Sequence, residues 1–193
     1  MNLVFASKNE AKVSEIRALL PEGYTLRSLN DMGWNKDIEE TGNTFYENAR
    51  IKAVQVFQAT GMPCFADDSG LEVTVLAGRP GVFSARYAGH EKNDQKNNEK
   101  LLRELAVFQD RSATFKTVIA YCCSDGVRFF SGEIKGHIIH EFRGNMGFGY
   151  DPLFVPVGWE KTFAEVSKAE KNKASHRAMA FEQLMHFLKS VDK

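Results

Sequence analysis

Two pairs of neighbouring carboxylates come first among the residues that could do chemistry: Glu39-Glu40 and Asp67-Asp68. Asp67 and Asp68 follow directly on the apolar run Cys64-Phe65-Ala66, and ligands of α/β sheets bind at the carboxyl ends of the strands. Carboxylates placed there can hold a hard cation such as magnesium. A nucleotide-bound magnesium takes only one or two protein carboxylates, with phosphate oxygens and water completing its octahedron, so Glu39 with one Asp would satisfy it. Standing alone, acidic pairs of this kind are as often ordinary solvated turn residues.

Three further groups complete the candidate chemistry. Ser7-Lys8-Asn9-Glu10-Ala11-Lys12 is a polar turn between an apolar segment and a helical pattern. Backbone N–H groups at a helix N-terminus attract phosphate, and Lys8 and Lys12 add charge; an Asn-capped surface helix would look the same. Lys52, Lys171 and the pair His176-Arg177 are charge-assisted donors that can clamp phosphates or read base oxygens, although each singly reads as a surface residue. In Gly147-Phe148-Gly149-Tyr150-Asp151-Pro152 the glycines allow close backbone approach and the aromatics can stack on a base. A tight turn beside core aromatics is an equal reading of that stretch. The Walker spacing and the G-x-S-x-G elbow are both absent, which argues against a P-loop ATPase and against a serine nucleophile.

The elements that must position these residues follow from the apolar periodicity. The pattern predicts a buried strand over Leu3-Val4-Phe5-Ala6 and a helix with Val13, Ile16, Leu19 and Leu20 inward, stopped by Pro21. A second strand is expected from Tyr24 to Leu29. Thr44 and Glu47 form a capping box ahead of a helix that ends near Gly61-Met62-Pro63. Cys64 to Ala66 reads as a short buried strand feeding Asp67-Asp68-Ser69-Gly70, and Leu71 to Leu76 continues extended. Asp94 to Phe108 is helical, Phe115 to Cys123 and Val127 to Ile134 make a hairpin around Ser124-Asp125-Gly126, and Leu153 to Val155 is a strand. Ser175 opens the last helix. Strands alternating with helices indicate an α/β fold, and 193 residues without repeat or linker suit one domain over 1–193.

Composition narrows the partners. Lys+Arg and Asp+Glu number 25 each, without the basic surplus or stripe that duplex binding needs, so nucleic acid is a poor candidate partner. Cys64, Cys122 and Cys123 have no zinc-ligand spacing and read as core residues of a reducing compartment. No apolar stretch approaches ~20 residues, so neither a membrane span nor a signal peptide is expected, and the expected location is the cytoplasm.

Taken together, these blocks resemble the inosine triphosphate pyrophosphatase family, hydrolases of dITP, ITP and XTP. The resemblance runs through Ser7-x-Asn9-x-x-Lys12 and Glu40-Thr41-Gly42-x-Thr44-Phe45-x-Glu47-Asn48-Ala49. It continues in Ala66-Asp67-Asp68-Ser69-Gly70-Leu71-Glu72-Val73, Gly78-x-Pro80-Gly81-Val82-x-Ser84-Ala85-Arg86-Tyr87, the 147–152 turn and Ser175-His176-Arg177. Ser7 stands where many members carry Thr, and either hydroxyl can donate to phosphate.

The resemblance implies a mixed, elongated central sheet flanked by helices, a homodimer, and magnesium, or manganese in its place, as cofactor. It implies that residues 7–12 (Ser7, Lys8, Asn9, Glu10, Ala11, Lys12) bind the triphosphate. Glu39 and Asp68 match metal ligands, Asp68 also matches the proton acceptor, and Lys52 matches a lysine near the phosphates. Ser69, Phe148, Gly149, Tyr150, Asp151, Lys171, His176 and Arg177 match substrate contacts. The implied reaction is attack of water on a purine nucleoside triphosphate to give monophosphate and pyrophosphate, removing deaminated purines from the nucleotide pool before they enter DNA or RNA. Hypoxanthine and xanthine carry a 6-oxo acceptor where adenine carries a donor, so Arg177, with His176, is expected to donate to that oxygen while Phe148 stacks on the base. A pyrophosphatase for modified pyrimidine nucleotides and a non-catalytic nucleotide sensor are the rival readings.

Overall fold

The computed structural model describes residues 2–191. Its regular elements, in chain order, are β1 (Asn2–Phe5), α1 (Glu10–Leu19), β2 (Thr25–Ser28), α2 (Phe45–Thr60), β3 (Cys64–Val73), α3 (Asp94–Leu105), β4 (Ser112–Cys123), β5 (Gly126–Ile138), β6 (Phe154–Pro156), α4 (Lys168–Asn172) and α5 (His176–Val191). The fold is α/β. Six strands form one mixed sheet in the order β2-β1-β3-β4-β5-β6. β1 runs parallel to β2 and to β3, with Phe5 opposite Ser28 and Phe65, and β5 runs antiparallel to β6.

The chain groups into two compact units. One holds the residues up to Asp68, residues 117–132 and the chain from Arg177 onward; the other holds Ser69–Lys116 and Glu133–His176. β3, β4 and β5 therefore each contribute to both. Each unit has its own core. In the first, Leu3 and Phe5 of β1, Val13 and Ile16 of α1, Phe65 of β3 and Phe181, Leu184 and Leu188 of α5 pack together, with the Phe5 and Phe65 rings stacked at 4.7 Å. In the second, Leu71, Leu101, Leu105, Phe115, Tyr150, Phe154 and Phe163 form the cluster. Burial of apolar surface on this scale is the main driving force of each unit.

Local signals explain most element ends. Asn9 caps α1 through a bond from Lys12 N–H. The capping box of Thr44 and Glu47 opens α2, and Gly61 closes it in the left-handed conformation at φ 66°, which a glycine adopts without steric penalty. Two expectations are corrected. The strand does not stop at Ala66 ahead of the two acids: β3 runs unbroken from Cys64 to Val73 through Asp67 and Asp68, and Thr74–Leu76 is a 3-10 turn rather than extended. Buried carboxylates are compatible with a central strand when cations and amides meet them, as they do here. The short helix α4 was unexpected; Ser167 and Glu170 form a capping box at its start. Among the described residues no helix is long and apolar enough to cross a membrane.

Candidate functional site

Successive side chains of a strand point to opposite faces, so β3 aims Asp67 and Asp68 in opposite directions. Asp67 shares the face of Phe65, where α1 and α5 pack, and meets a cation from each helix. Lys12 Nζ lies 2.9 Å from Asp67 Oδ2, and Arg177 Nε lies 3.3 Å from the same oxygen. Arg177 Nη1 also donates to Glu15. Glu15 stands three residues after Lys12 and so on the same side of α1. Burial raises the proton affinity of Asp67, but Lys12, Arg177 and Lys52 outweigh it and hold the carboxyl well below the usual carboxylate range. Burial also opposes the charge of Arg177, yet Glu15 and Asp67 overcome it and keep the guanidinium firmly protonated. Lys12 is pulled down by burial, with Arg177 and Lys52 adding to that effect against the attraction of Asp67.

Asp68 shares the face of Cys64, whose Sγ donates to Ala53 O of α2 at 3.2 Å. The same helix supplies both partners of Asp68, one turn apart: Asn48 Nδ2 donates to Oδ2 at 3.1 Å, and Lys52 Nζ stands 3.7 Å from Oδ1. Asn48 Oδ1 accepts from Gly42 N–H at 2.8 Å, so one amide ties the acidic loop to the strand carboxylate. Lys52 also pairs with Glu40. Burial raises the Asp68 carboxyl above its usual value, and Lys52 and Lys12 offset this only in part. Burial lowers the affinity of Lys52 for its proton, but Asp68, Glu40 and Asp67 more than compensate and raise it. Two adjacent carboxylates are thus driven apart: Asp67 is held ionised, while Asp68 has increased affinity for a proton. Environments that separate neighbouring acids in this way assign them different roles.

Residues 7–12 lie at the end of β1 and the start of α1. Asn9 N–H donates to Ser7 Oγ at 3.2 Å, and Asn30 Nδ2 donates to Lys8 O at 3.2 Å and to Glu10. Lys8 reaches outward to Asp37 at 3.2 Å, and Ala11 is half-buried in the first turn of α1. Glu39 is exposed, whereas Glu40 is the half-buried carboxylate beside Lys52. Among the described residues, no group of three or more His, Cys, Asp and Glu side chains could hold a metal ion.

The second unit contains the other candidates. Ser69 follows Asp68 on β3 and is half-buried. Residues 147–151 coil into a tight turn whose centre is the Asp151 carboxylate: Phe148 N–H donates to Oδ2 at 2.9 Å, and Lys171 Nζ pairs with the same oxygen at 2.6 Å. Gly147 has φ 77°, and a Cβ there would fall 2.1 Å from Asp151 Oδ2, so this position admits only glycine. The Lys171 ammonium lies over the Phe148 ring at 4.8 Å and the Phe163 ring at 5.4 Å, a cation–π arrangement. Gly149 donates its N–H to Asp94 Oδ2 at 2.7 Å, and the Tyr150 hydroxyl donates to Ser84 O at 2.9 Å. His176 is buried, with its ring stacked on Phe115 at 4.8 Å and 8° between planes.

The structure therefore brings Lys12, Lys52, Asp68 and Arg177 into one unit, and Phe148, Gly149, Tyr150, Asp151, Lys171 and His176 into the other. Arg177 engages Glu15 and Asp67 in the same unit as Asp68. Asn48 and Glu15 escaped the sequence reading. Both had a signal: Asn48 precedes Lys52 by one turn on a helix face that also carries Phe45 and Ala49, and Glu15 adjoins Ile16 in an apolar stripe. A polar group on a core-facing stripe calls for a buried partner.

The Ham1 family profile matches residues 3–187. The dITP/XTP pyrophosphatase of Christiangramia forsetii is 54% identical over 188 residues, covering 97% of this chain and 99% of that protein. The dITP/XTP pyrophosphatase of Flavobacterium psychrophilum is 50% identical over 190 residues, covering 98% and 100%. Among solved structures, the Staphylococcus aureus Ham1 protein superposes with a TM-score of 0.89 at 40% identity, covering 98% of this chain and 99% of its own.

Proposed function

The chain belongs to the Ham1 family, and on that premise we propose that it is a hydrolase of dITP, XTP and ITP that releases the nucleoside monophosphate and pyrophosphate. The observation that carries this reading is the divergence of the two β3 carboxylates, Asp67 held ionised between Lys12 and Arg177, Asp68 raised beside Asn48 and Lys52. Water adds to the α-phosphorus, the bond from that phosphorus to the bridging oxygen breaks, and pyrophosphate leaves with the electron pair. Asp68 takes the proton from the attacking water. Its raised proton affinity makes it a better acceptor than a free Asp. Asn48 orients its carboxylate. Lys52 supplies positive charge next to it and Lys12 supplies it from the Asp67 side of the strand, charge that a polyphosphate chain would meet.

The donor chemistry around Asp68 suits magnesium. Asp68 with Glu39 or Glu40 offers hard carboxylate oxygens in a number that a nucleotide-bound magnesium uses, the remaining positions going to phosphate and water. When bound there, the ion neutralises phosphate charge and acidifies water. In the second unit, Phe148 supplies a face for the purine, and Lys171 and His176 supply donors for its oxo groups. A location in the cytoplasm, a two-fold homodimer and a role in keeping deaminated purines out of DNA and RNA complete the proposal.

The test is a turnover assay with dITP, XTP, ITP, GTP and ATP at fixed magnesium, in labelled water, with pyrophosphate and phosphate both quantified. Pyrophosphate should equal monophosphate for dITP, XTP and ITP, with the label in the monophosphate. Release of a single phosphate, or no turnover of these three, sinks the reading.

A further inference from the structure

The first turn and a half of α3 grips the 147–151 turn at one residue, Gly149. Asp94, the first residue of the helix, accepts from Gly149 N–H at 2.7 Å, and Asn98 Nδ2 donates to Gly149 O at 2.7 Å. The two residues are four apart and so lie on one helix face, which lets a single face bind both the donor and the acceptor of Gly149. Asn98 Nδ2 also donates to Asp94 O at 2.8 Å. Both acceptors facing this nitrogen are carbonyl oxygens, so the amide has one usable orientation; Oδ1 would meet them with repulsion. Asn98 is 2% exposed. On its other side the turn is held by Asp151, through Phe148 N–H and Lys171. The Phe148 ring is thereby carried between two anchors, Asp151 from within the turn and α3 from outside it.

We infer that Asp94 and Asn98 are positioning residues for nucleotide recognition: they set where Phe148 stands without touching substrate. This rests on the proposed activity, in which Phe148 meets the base. None of the residues around Asp68 belongs to this clamp, so its loss should weaken substrate binding and spare the chemical step. A binding group carried by a mobile turn must be ordered at each encounter, and that ordering is drawn from the affinity. Removal of either clamp residue should then raise KM for dITP and XTP together.

The experiment measures kcat and KM for dITP and XTP, with Tm, in the wild type and in Asn98→Ala, Asp94→Ala and Asp94→Asn. Asn98→Ala should raise KM about tenfold with kcat within about twofold of wild type. Asp94→Ala should raise KM by a smaller factor. Asp94→Asn keeps an oxygen to accept from Gly149 N–H and should restore the wild-type KM. A fall in Tm with KM unchanged in the two alanine variants would overturn the clamp as a positioning device, as would a loss confined to kcat. If Asn98→Ala does not fold, the exposed Asp94 pair decides the matter alone. A wild-type protein that turns over neither dITP nor XTP overturns the activity and the inference with it; a wild type that turns both over beside unaffected variants overturns only the inference.

Discussion

In the unit that holds β1 and α2, position is set by charge. Lys12, Glu15, Asp67 and Arg177 pair their charges on one face of β3, and around its other face Lys52 pairs with Glu40 and Asp68 while Asn48 donates to Asp68. Around the 147–151 turn of the other unit, position is set mainly by backbone hydrogen bonds and ring contacts, with the buried pair of Asp151 and Lys171 as an ionic anchor. The two regions suit different ligand chemistry. A polyanion and a metal need side chains whose charge is in place before binding, whereas a flat base needs a surface at a set depth and little charge. Charge is sensitive to pH and to single-atom changes; shape is sensitive to main-chain freedom.

The sharpest way to break this comparison is at Asp68. Asp68→Asn keeps the shape, removes the proposed proton acceptor, and should lower kcat by ~10²–10⁴-fold without lowering Tm, because a buried carboxylate with raised proton affinity is not stabilising when ionised. The acid limb of the wild-type kcat/KM profile should also lie above the ordinary Asp value of 3.8, since burial raises the Asp68 carboxyl from there and the proposed step uses its ionised form. Wild-type-like turnover in Asp68→Asn would remove this residue from the chemistry.

Asp67→Asn should fail in the opposite manner. It leaves Lys12 and Arg177 buried with one anion fewer, and breaking a buried pair costs about 3–5 kcal/mol, visible as a lower denaturation midpoint. The sign of its pH dependence follows from the depressed native value: the contribution of Asp67 is fully present above the unfolded value and is lost only as pH falls through the native one. Stability should therefore be flat near neutrality for this group and decline in acid. Equal stability of wild type and Asp67→Asn would contradict the ionic account of this face.

The smallest effect belongs to the other unit. Phe148→Ala removes a stacking surface worth ~1–3 kcal/mol per base, and should raise KM for dITP, XTP and ATP by similar factors while leaving kcat and the acid limb in place. A change in the ratio between bases would assign discrimination to the ring and blur the division of labour between the two regions.

Much of this was legible in the chain. The capping box at Thr44 and Glu47, the stop at Gly61 and the apolar stripe of α1 are local signals, decided within a few residues, and they appear where expected. The unbroken course of β3 through Asp67 and Asp68 was not legible, because two adjacent acids read as lying beyond the strand until cations from α1, α2 and α5 are known to meet them. Arg177 shows the same limit. Its guanidinium joins Glu15 and Asp67, residues 162 and 110 positions away, a pairing that no local pattern discloses.

Residue types and spacing by themselves determined the alternation of strands and helices, the family resemblance, and the set of carboxylates, cations and glycines available for chemistry. They did so because periodicity, capping and turn formation depend on near neighbours. Only the tertiary structure decided which carboxylate keeps its charge and which has its proton affinity raised. Asp67 and Asp68 are the same amino acid side by side, and what separates them is burial together with charges delivered by three different helices, which no local pattern specifies.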